Sequence, residues 1–237
     1  MAAAMNLRVC CISPDLRCLS AKGLEAQISE YLDHDIIVFP EYLGELCHVA
    51  PKPYPGKVLV YGSRQVGGTN RLACAAEGRV LHTFKIKLTP WEKKLKQGQD
   101  ILTFDFRGVT IAILICFDIE FPELAVALKQ TGVELLIVPS ATETDQGYYR
   151  VSRCASARAV ELGCAVVTCH LIGETDLELL DVNVGANNMF LPAQSGFDIS
   201  RISPPVCRGP VISSFTVPVK RLREQKLRLG ETNPAIH

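Results

Sequence analysis

The run 109–117, Val-Thr-Ile-Ala-Ile-Leu-Ile-Cys-Phe, is the most apolar strand-like stretch in this chain of 237 residues. It falls far short of the roughly 18 to 20 residues a helix needs to cross a bilayer, so it reads as the most deeply buried strand of a folded core. Further apolar runs at 7–12, 35–41, 135–140 and 164–172 read as strands too. Between them lie helical periods. Leu24, Ile28 and Leu32 recur at helical spacing, Pro122 opens a helix reaching about Gln130, and Tyr148, Val151, Ala155, Arg158 and Leu162 mark another that Gly163 ends. Residues 58–65, 71–77 and 80–88 read as an antiparallel meander, 101–106 and 109–116 as a hairpin about Arg107-Gly108, and 187–193 and 210–217 as late strands. Alternating strands and helices without a linker or repeat predict one layered α/β domain over 1–237, with a core at 5–219 and a basic amphipathic tail at 220–237 able to lie on a neighbouring subunit.

Composition narrows the class. With 48% hydrophobic and 21% charged residues the chain can build a sizeable core, which excludes disorder as its main state. Lys+Arg and Asp+Glu both number 25, so there is no basic excess of the kind a nucleic-acid binder uses to neutralise phosphates. The start, Met1-Ala2-Ala3-Ala4-Met5, has no basic segment leading into an apolar one, so a soluble, cytoplasmic protein without a membrane partner is expected. The ten cysteines sit mostly in apolar strand-like segments, with no Cys-x-x-Cys and no histidine at zinc-finger spacing. Reduced thiols are therefore expected, with neither a disulfide framework nor a metal.

Three places attract attention as chemistry. Cys116 ends the most buried-looking strand and leads at once into a helix. The carboxyl end of a strand is where α/β proteins place reactive groups, and backbone N–H groups of a following helical turn can lower a thiol's pKa. A small hydrophobe in the core is the alternative, and position alone does not separate the two. Glu41 ends Ile-Ile-Val-Phe-Pro-Glu; desolvation there would raise its pKa and suit it to proton transfer, whereas a strand-end glutamate facing water would do nothing. In Thr83 to Leu88 a period of two puts Phe84, Ile86 and Leu88 on one face and Lys85 and Lys87 on the other. Two solvated lysines are one reading, and a lysine fixed near a thiol to stabilise an oxyanion is the other. The chain's only tryptophan, Trp91, follows in Thr89-Pro90-Trp91-Glu92.

Phe39-Pro40-Glu41, then Phe84-Lys85-Ile86-Lys87-Leu88-Thr89-Pro90-Trp91-Glu92, then Leu114-Ile115-Cys116-Phe117-Asp118-Ile119-Glu120-Phe121-Pro122-Glu123 resemble the carbon–nitrogen hydrolase (nitrilase-like) superfamily. Arg158-Ala159-Val160-Glu161 is a fourth matching piece, and the resemblance runs from Leu7 to about Arg228. It implies a four-layer α-β-β-α sandwich associating across the helices that follow the cysteine strand, as a homodimer or a higher homo-oligomer. It also implies Cys116 as nucleophile, Glu41 as general base, Lys85 rather than Lys87 as oxyanion-stabilising cation, and Glu92 as the group orienting that lysine and the substrate. Phe117, through its N–H, and Thr142 are expected to face the oxyanion or substrate. No cofactor is implied, and the expected partner is a small-molecule amide.

The chain departs from the family pattern in two places. Residues 43–57 form a short segment with Pro51, Pro53 and Pro55 where relatives carry a helix and long loop, so a more open site is expected. Glu120 stands where an arginine is common. Linear amide hydrolysis is the first reading; nitrile hydrolysis, N-acyl transfer and an inactive binding scaffold are the alternatives. Acidic residues in 142–149 and 173–186, namely Glu143, Asp145, Glu174, Asp176, Glu178 and Asp181, point to a neutral or basic substrate or are simply solvated.

Overall fold

A computed structural model describes residues 6–178, 180–197 and 204–227. The first five residues and the tail beyond 227, including Arg228, lie outside the described residues. In chain order the elements are β1 (Leu7–Ser13), α1 (Ala21–Glu30), β2 (Ile36–Val38), α2 (Leu43–Leu46), β3 (Val58–Val66), β4 (Thr69–Ala76), β5 (Arg79–Phe84), β6 (Leu102–Phe106) and β7 (Val109–Ile113). They continue with α3 (Pro122–Lys129), β8 (Leu135–Ala141), α4 (Asp145–Leu162), β9 (Ala165–Leu171), β10 (Gly173–Glu174), β11 (Val182–Asn183), β12 (Asn188–Phe190), β13 (Val211–Val217) and α5 (Val219–Leu227).

Two sheets stack. One has the order β13-β1-β2-β3-β4-β5 and the other β12-β9-β8-β7-β6, while β10 and β11 form a small separate hairpin. Both are parallel at the centre, in β1–β2–β3 and β7–β8–β9, and antiparallel at the margins. Side-chain alternation decides the layering. Val38 and Val60 face the cluster shared with Ile111, Ile113 and Ile137 of the second sheet and with Val151 and Ala155 of α4. Their neighbours Ile37 and Leu59 face the opposite way, into a second cluster with Leu24 and Ile28 of α1. The layers are therefore α, β, β, α, the sandwich that the resemblance implies.

Several boundaries move for local reasons. β2 stops at Val38 because Pro40, which has no N–H, ends the pairing just after Phe39 has donated to Val60 (2.9 Å). β5 stops at Phe84 rather than running through Leu88. The cysteine strand stops at Ile113, and Cys116 begins a 3-10 turn. The described part of the tail packs on its own chain: Val219 and Leu222 are buried, and Arg223 pairs with Glu134 (2.6 Å). Among the described residues no helix is long and apolar enough to cross a membrane.

Candidate active site

The parallel strands β2 and β8 end at the same place, close to the turn that follows β7. Glu41 follows β2, Ala141 ends β8 and Cys116 follows β7. The Cys116 thiol donates to the Ala141 carbonyl (3.4 Å), and the Ala141 N–H donates to Glu41 Oε2 (3.1 Å). Glu41 lies beside the thiol, near enough to raise the energy of its ionised form. Cys116 is held at φ +46°, a left-handed conformation that a non-glycine residue occupies only under strain of about 1–3 kcal/mol. Asp118 stabilises the turn by accepting the Ile115 N–H at 2.9 Å.

Lys85 and Lys87 do not share a face. After Phe84 the chain leaves the ladder: Lys85 exchanges bonds with the Asn70 carbonyl (2.9 Å) and the Gly98 N–H (2.8 Å). A Cβ at residue 98 would lie 2.5 Å from the Phe84 carbonyl oxygen, so that close approach needs the glycine. The next two N–H groups, of Ile86 and Lys87, are taken by Asp118 Oδ1 (3.1 and 2.7 Å). A buried carboxylate thus replaces the expected strand. It turns Lys85 inward while Lys87 points out to Glu123 (2.6 Å) and lies over the Phe121 ring.

Lys85 is 2% exposed and bonds Glu41 Oε1 and Glu92 Oε2, both at 2.8 Å. Asn70 Nδ2 donates to Glu41 Oε1 (3.0 Å) and Glu92 Oε1 (2.9 Å). The Tyr42 hydroxyl donates to Glu92 Oε1, and Thr89 to Glu92 Oε2 through its N–H and hydroxyl. Every carboxylate oxygen in the cluster has a donor, the condition under which a buried charge network is tolerated. Asn70 and Tyr42 escaped the sequence reading. The signal for Asn70 was a polar residue on the inward period of β4 with Leu72 and Cys74, hidden because the strand was expected to start at residue 71.

Electrostatics distinguish the groups. Burial works against the charge on Lys85, but Glu41, Cys116 and Glu92 outweigh it and hold the ammonium above its usual range. Burial, reinforced by Glu92, raises the Glu41 carboxyl despite Lys85. Burial also opposes ionisation of Glu92, but Lys85 and the Tyr42 and Thr89 donors overcome it and lower its pKa. The Cys116 thiol is pushed up by burial and by Glu41, with Lys85 only partly offsetting them. The lowered thiol pKa considered from the strand-to-helix position is not found, because the adjacent carboxylate and desolvation outweigh the turn's N–H groups. The resting group is a thiol with a base beside it.

A cavity of about 510 Å³ opens over Cys116 and is lined by Trp91, Phe117, Thr142, Val151, Leu177 and Leu180 among others. Phe117 N–H lies in the first turn after Cys116, where helical N–H groups lack intrahelical acceptors. The Thr142 hydroxyl donates to the Val184 carbonyl (2.6 Å), so its proton is not directed at a ligand. Of the acidic loop residues Glu143 and Glu178 line the cavity, together with Glu45 and Glu120, while Asp145 pairs with Arg208. Among the described residues the only basic lining residue besides Lys85 is Arg150, and Glu120 engages it at 3.3 Å. Segment 43–57 contributes only Glu45 to the wall of this cavity. Arg158 pairs with Glu161 within α4 (2.8 Å), and neither lines the cavity. No group of three or more potential metal ligands occurs among the described residues.

The family model described as carbon-nitrogen hydrolase matches residues 79–186. An (R)-stereoselective amidase from Pseudomonas sp. is 37% identical over 171 residues, covering 61% of each chain. The chain spans between a quarter and about three fifths of the length of the first curated relatives it matches. Among solved structures, Nit3 of Saccharomyces cerevisiae, a nitrilase superfamily member, superposes with a TM-score of 0.72 at 18% identity, covering 98% of this chain and 97% of that one. An amidase from Nesterenkonia sp., with acrylamide added to its active site cysteine, gives 0.68 at 21% identity, covering 94% and 98%. These two likenesses establish the fold.

Proposed function

We propose that this chain, a member of the carbon–nitrogen hydrolase superfamily, hydrolyses a linear amide through a thioester on Cys116. The observation that carries this reading is the buried Lys85 ammonium held between Glu41 and Glu92 beside the cysteine. It is a fixed positive charge in a water-poor site, the environment in which oxyanion stabilisation is strongest. Glu41 takes the thiol proton as sulfur attacks the carbonyl, and Lys85 with the Phe117 N–H holds the oxyanion. Glu41 returns the proton to the leaving nitrogen, and ammonia or an amine departs. Glu41 then deprotonates a water that attacks the thioester, and the acid leaves as the thiol is re-protonated. Glu92 and Asn70 position Lys85 and do not exchange protons in this scheme.

The acidic lining, with its one free-standing cation engaged by Glu120, favours a neutral or cationic amide over one bearing a carboxylate. Association of two copies across α3 and α4 is part of the same proposal, in keeping with the exposed Val126 and Val160 on those helices. The test is ammonia release from a panel of small amides by wild type and Cys116→Ala, with intact mass recorded for an acyl adduct. Release and an adduct in wild type alone are expected; release surviving in Cys116→Ala would overturn the assignment.

A further inference from the structure

On the outer face of the first sheet, away from Cys116, a crevice of about 350 Å³ runs between segment 43–51 and strands β3 to β5. Its volume lies in the range of small-ligand sites. The floor is apolar, made by Leu24, Ile28, Phe39 and Ala73, with Val80 at its edge. Val80 is 36% exposed, so this apolar surface is only partly covered by the short α2 segment.

The charges around it are one-sided. Arg64 and Arg71 line the crevice together with the imidazoles of His48 and His82, and among the described residues no aspartate or glutamate does. Arg64 and Arg71 are direct cross-strand partners in β3 and β4, so their side chains leave the same face. Like charges directly opposite one another destabilise a sheet. Neither arginine forms an ion pair among the described residues, although the chain carries as many acidic as basic residues. Ala73, two residues along on the same face, pairs with His82, whose imidazole burial and Arg71 both hold toward the neutral form, so the two arginines carry the positive charge beside the apolar floor. The catalytic cavity has the opposite character, with Glu45, Glu120, Glu143 and Glu178 in its wall.

We infer that this crevice is a second binding site, for a small amphiphilic carboxylate whose apolar body lies on the floor and whose anionic head bridges Arg64 and Arg71. The inference stands independently of the amidase reading. A second copy of the chain is a poor occupant, because a two-fold contact would set this cationic edge against itself. A carboxylate supplies the missing counter-charge, and guanidinium groups bind such heads through charge-assisted hydrogen bonds.

The probe is n-octanoate, titrated into protein carrying labelled methyl groups and followed by NMR. Acetate and n-octanol serve as the head alone and the tail alone. Saturable shifts are expected at Ala73 and Val80, with the Val151 methyls in the catalytic cavity unmoved, and the affinity should fall as salt is raised. Arg64→Gln and Arg71→Gln should each weaken octanoate by roughly tenfold, and the double substitution should abolish saturation. Ala73→Leu, which fills the floor and leaves both arginines in place, should also weaken it. The inference fails if wild-type shifts appear at Val151 alone, if octanol matches octanoate, or if the double variant binds as wild type does.

Discussion

Lys85 is the residue on which the site's stability and its chemistry both depend. Its removal would leave Glu41 and Glu92 buried with no cation between them, and breaking a buried ion pair by deleting one partner costs about 3–5 kcal/mol. Lys85→Met, which keeps most of the stem, should lose that much at pH 7 in urea denaturation and lose at least about 10²-fold in kcat. The sign with pH follows from Glu41, whose pKa burial already raises in the native protein. Without Lys85 the folded-state carboxyl rises further above its unfolded value, so the variant is most stable when the carboxyl is protonated and weakens as pH rises. Denaturation midpoints that partly recover between pH 7 and 5 are expected; a pH-independent deficit would show that the buried carboxylates are not its cause. Sequence drew attention to Glu41, Lys85, Glu92 and Cys116 through their motifs. It did not single out Asn70, a polar residue on an inward strand period, or Tyr42, and the importance of both lies in satisfying oxygens that meet only in three dimensions.

Between residue and fold, the decisive connection is Asp118. One oxygen stabilises the strained cysteine turn and the other captures two N–H groups of the lysine segment, so one side chain fixes the separation of nucleophile and cation. Its carboxyl is pushed up to about 6 by burial, against the pull of its backbone donors. Asp118→Asn must turn an amide N–H toward a donor, at a cost of about 1–3 kcal/mol. Because a misplacement of about 1 Å can cost 10²-fold in rate, kcat should fall by roughly that factor. Steady-state kinetics on any amide the wild type turns over would check this, and an unchanged kcat would free Asp118 of a positioning role. The same contact explains why β5 ends at Phe84: a period of two in the sequence cannot reveal that a carboxylate 31 residues away outcompetes the next strand's carbonyls.

At the scale of the molecule, the two sheets meet over a core that includes one fully buried histidine. His170 in β9 is 0% exposed and packs edge-on against Tyr148, and its Nε2 has no hydrogen-bond partner among the described residues. Burial lowers its pKa from 6.5 to about 3. The folded state therefore refuses the proton that the unfolded state accepts: this contribution is fully present above pH 6.5 and is lost progressively as pH falls toward 3, on the order of 3 kcal/mol by pH 4. Denaturant titrations of wild type and His170→Gln from pH 7 to 4 should show a steeper loss in wild type. Comparing the two cancels the opposite contribution of Asp118, and equal slopes would refute the assignment. Sequence by itself determined the order of the longer strands and of α1, α3 and α4, together with the motif residues, because apolar periodicity and chain direction are local properties; the short α2, β10 and β11 carry too few residues to show a period. The tertiary structure alone decided that Lys85 turns inward, that the Cys116 thiol's pKa rises, that α5 packs on its own chain, and that the two cavities carry opposite charge. Each of those depends on which desolvated groups the two sheets bring together from distant parts of the chain.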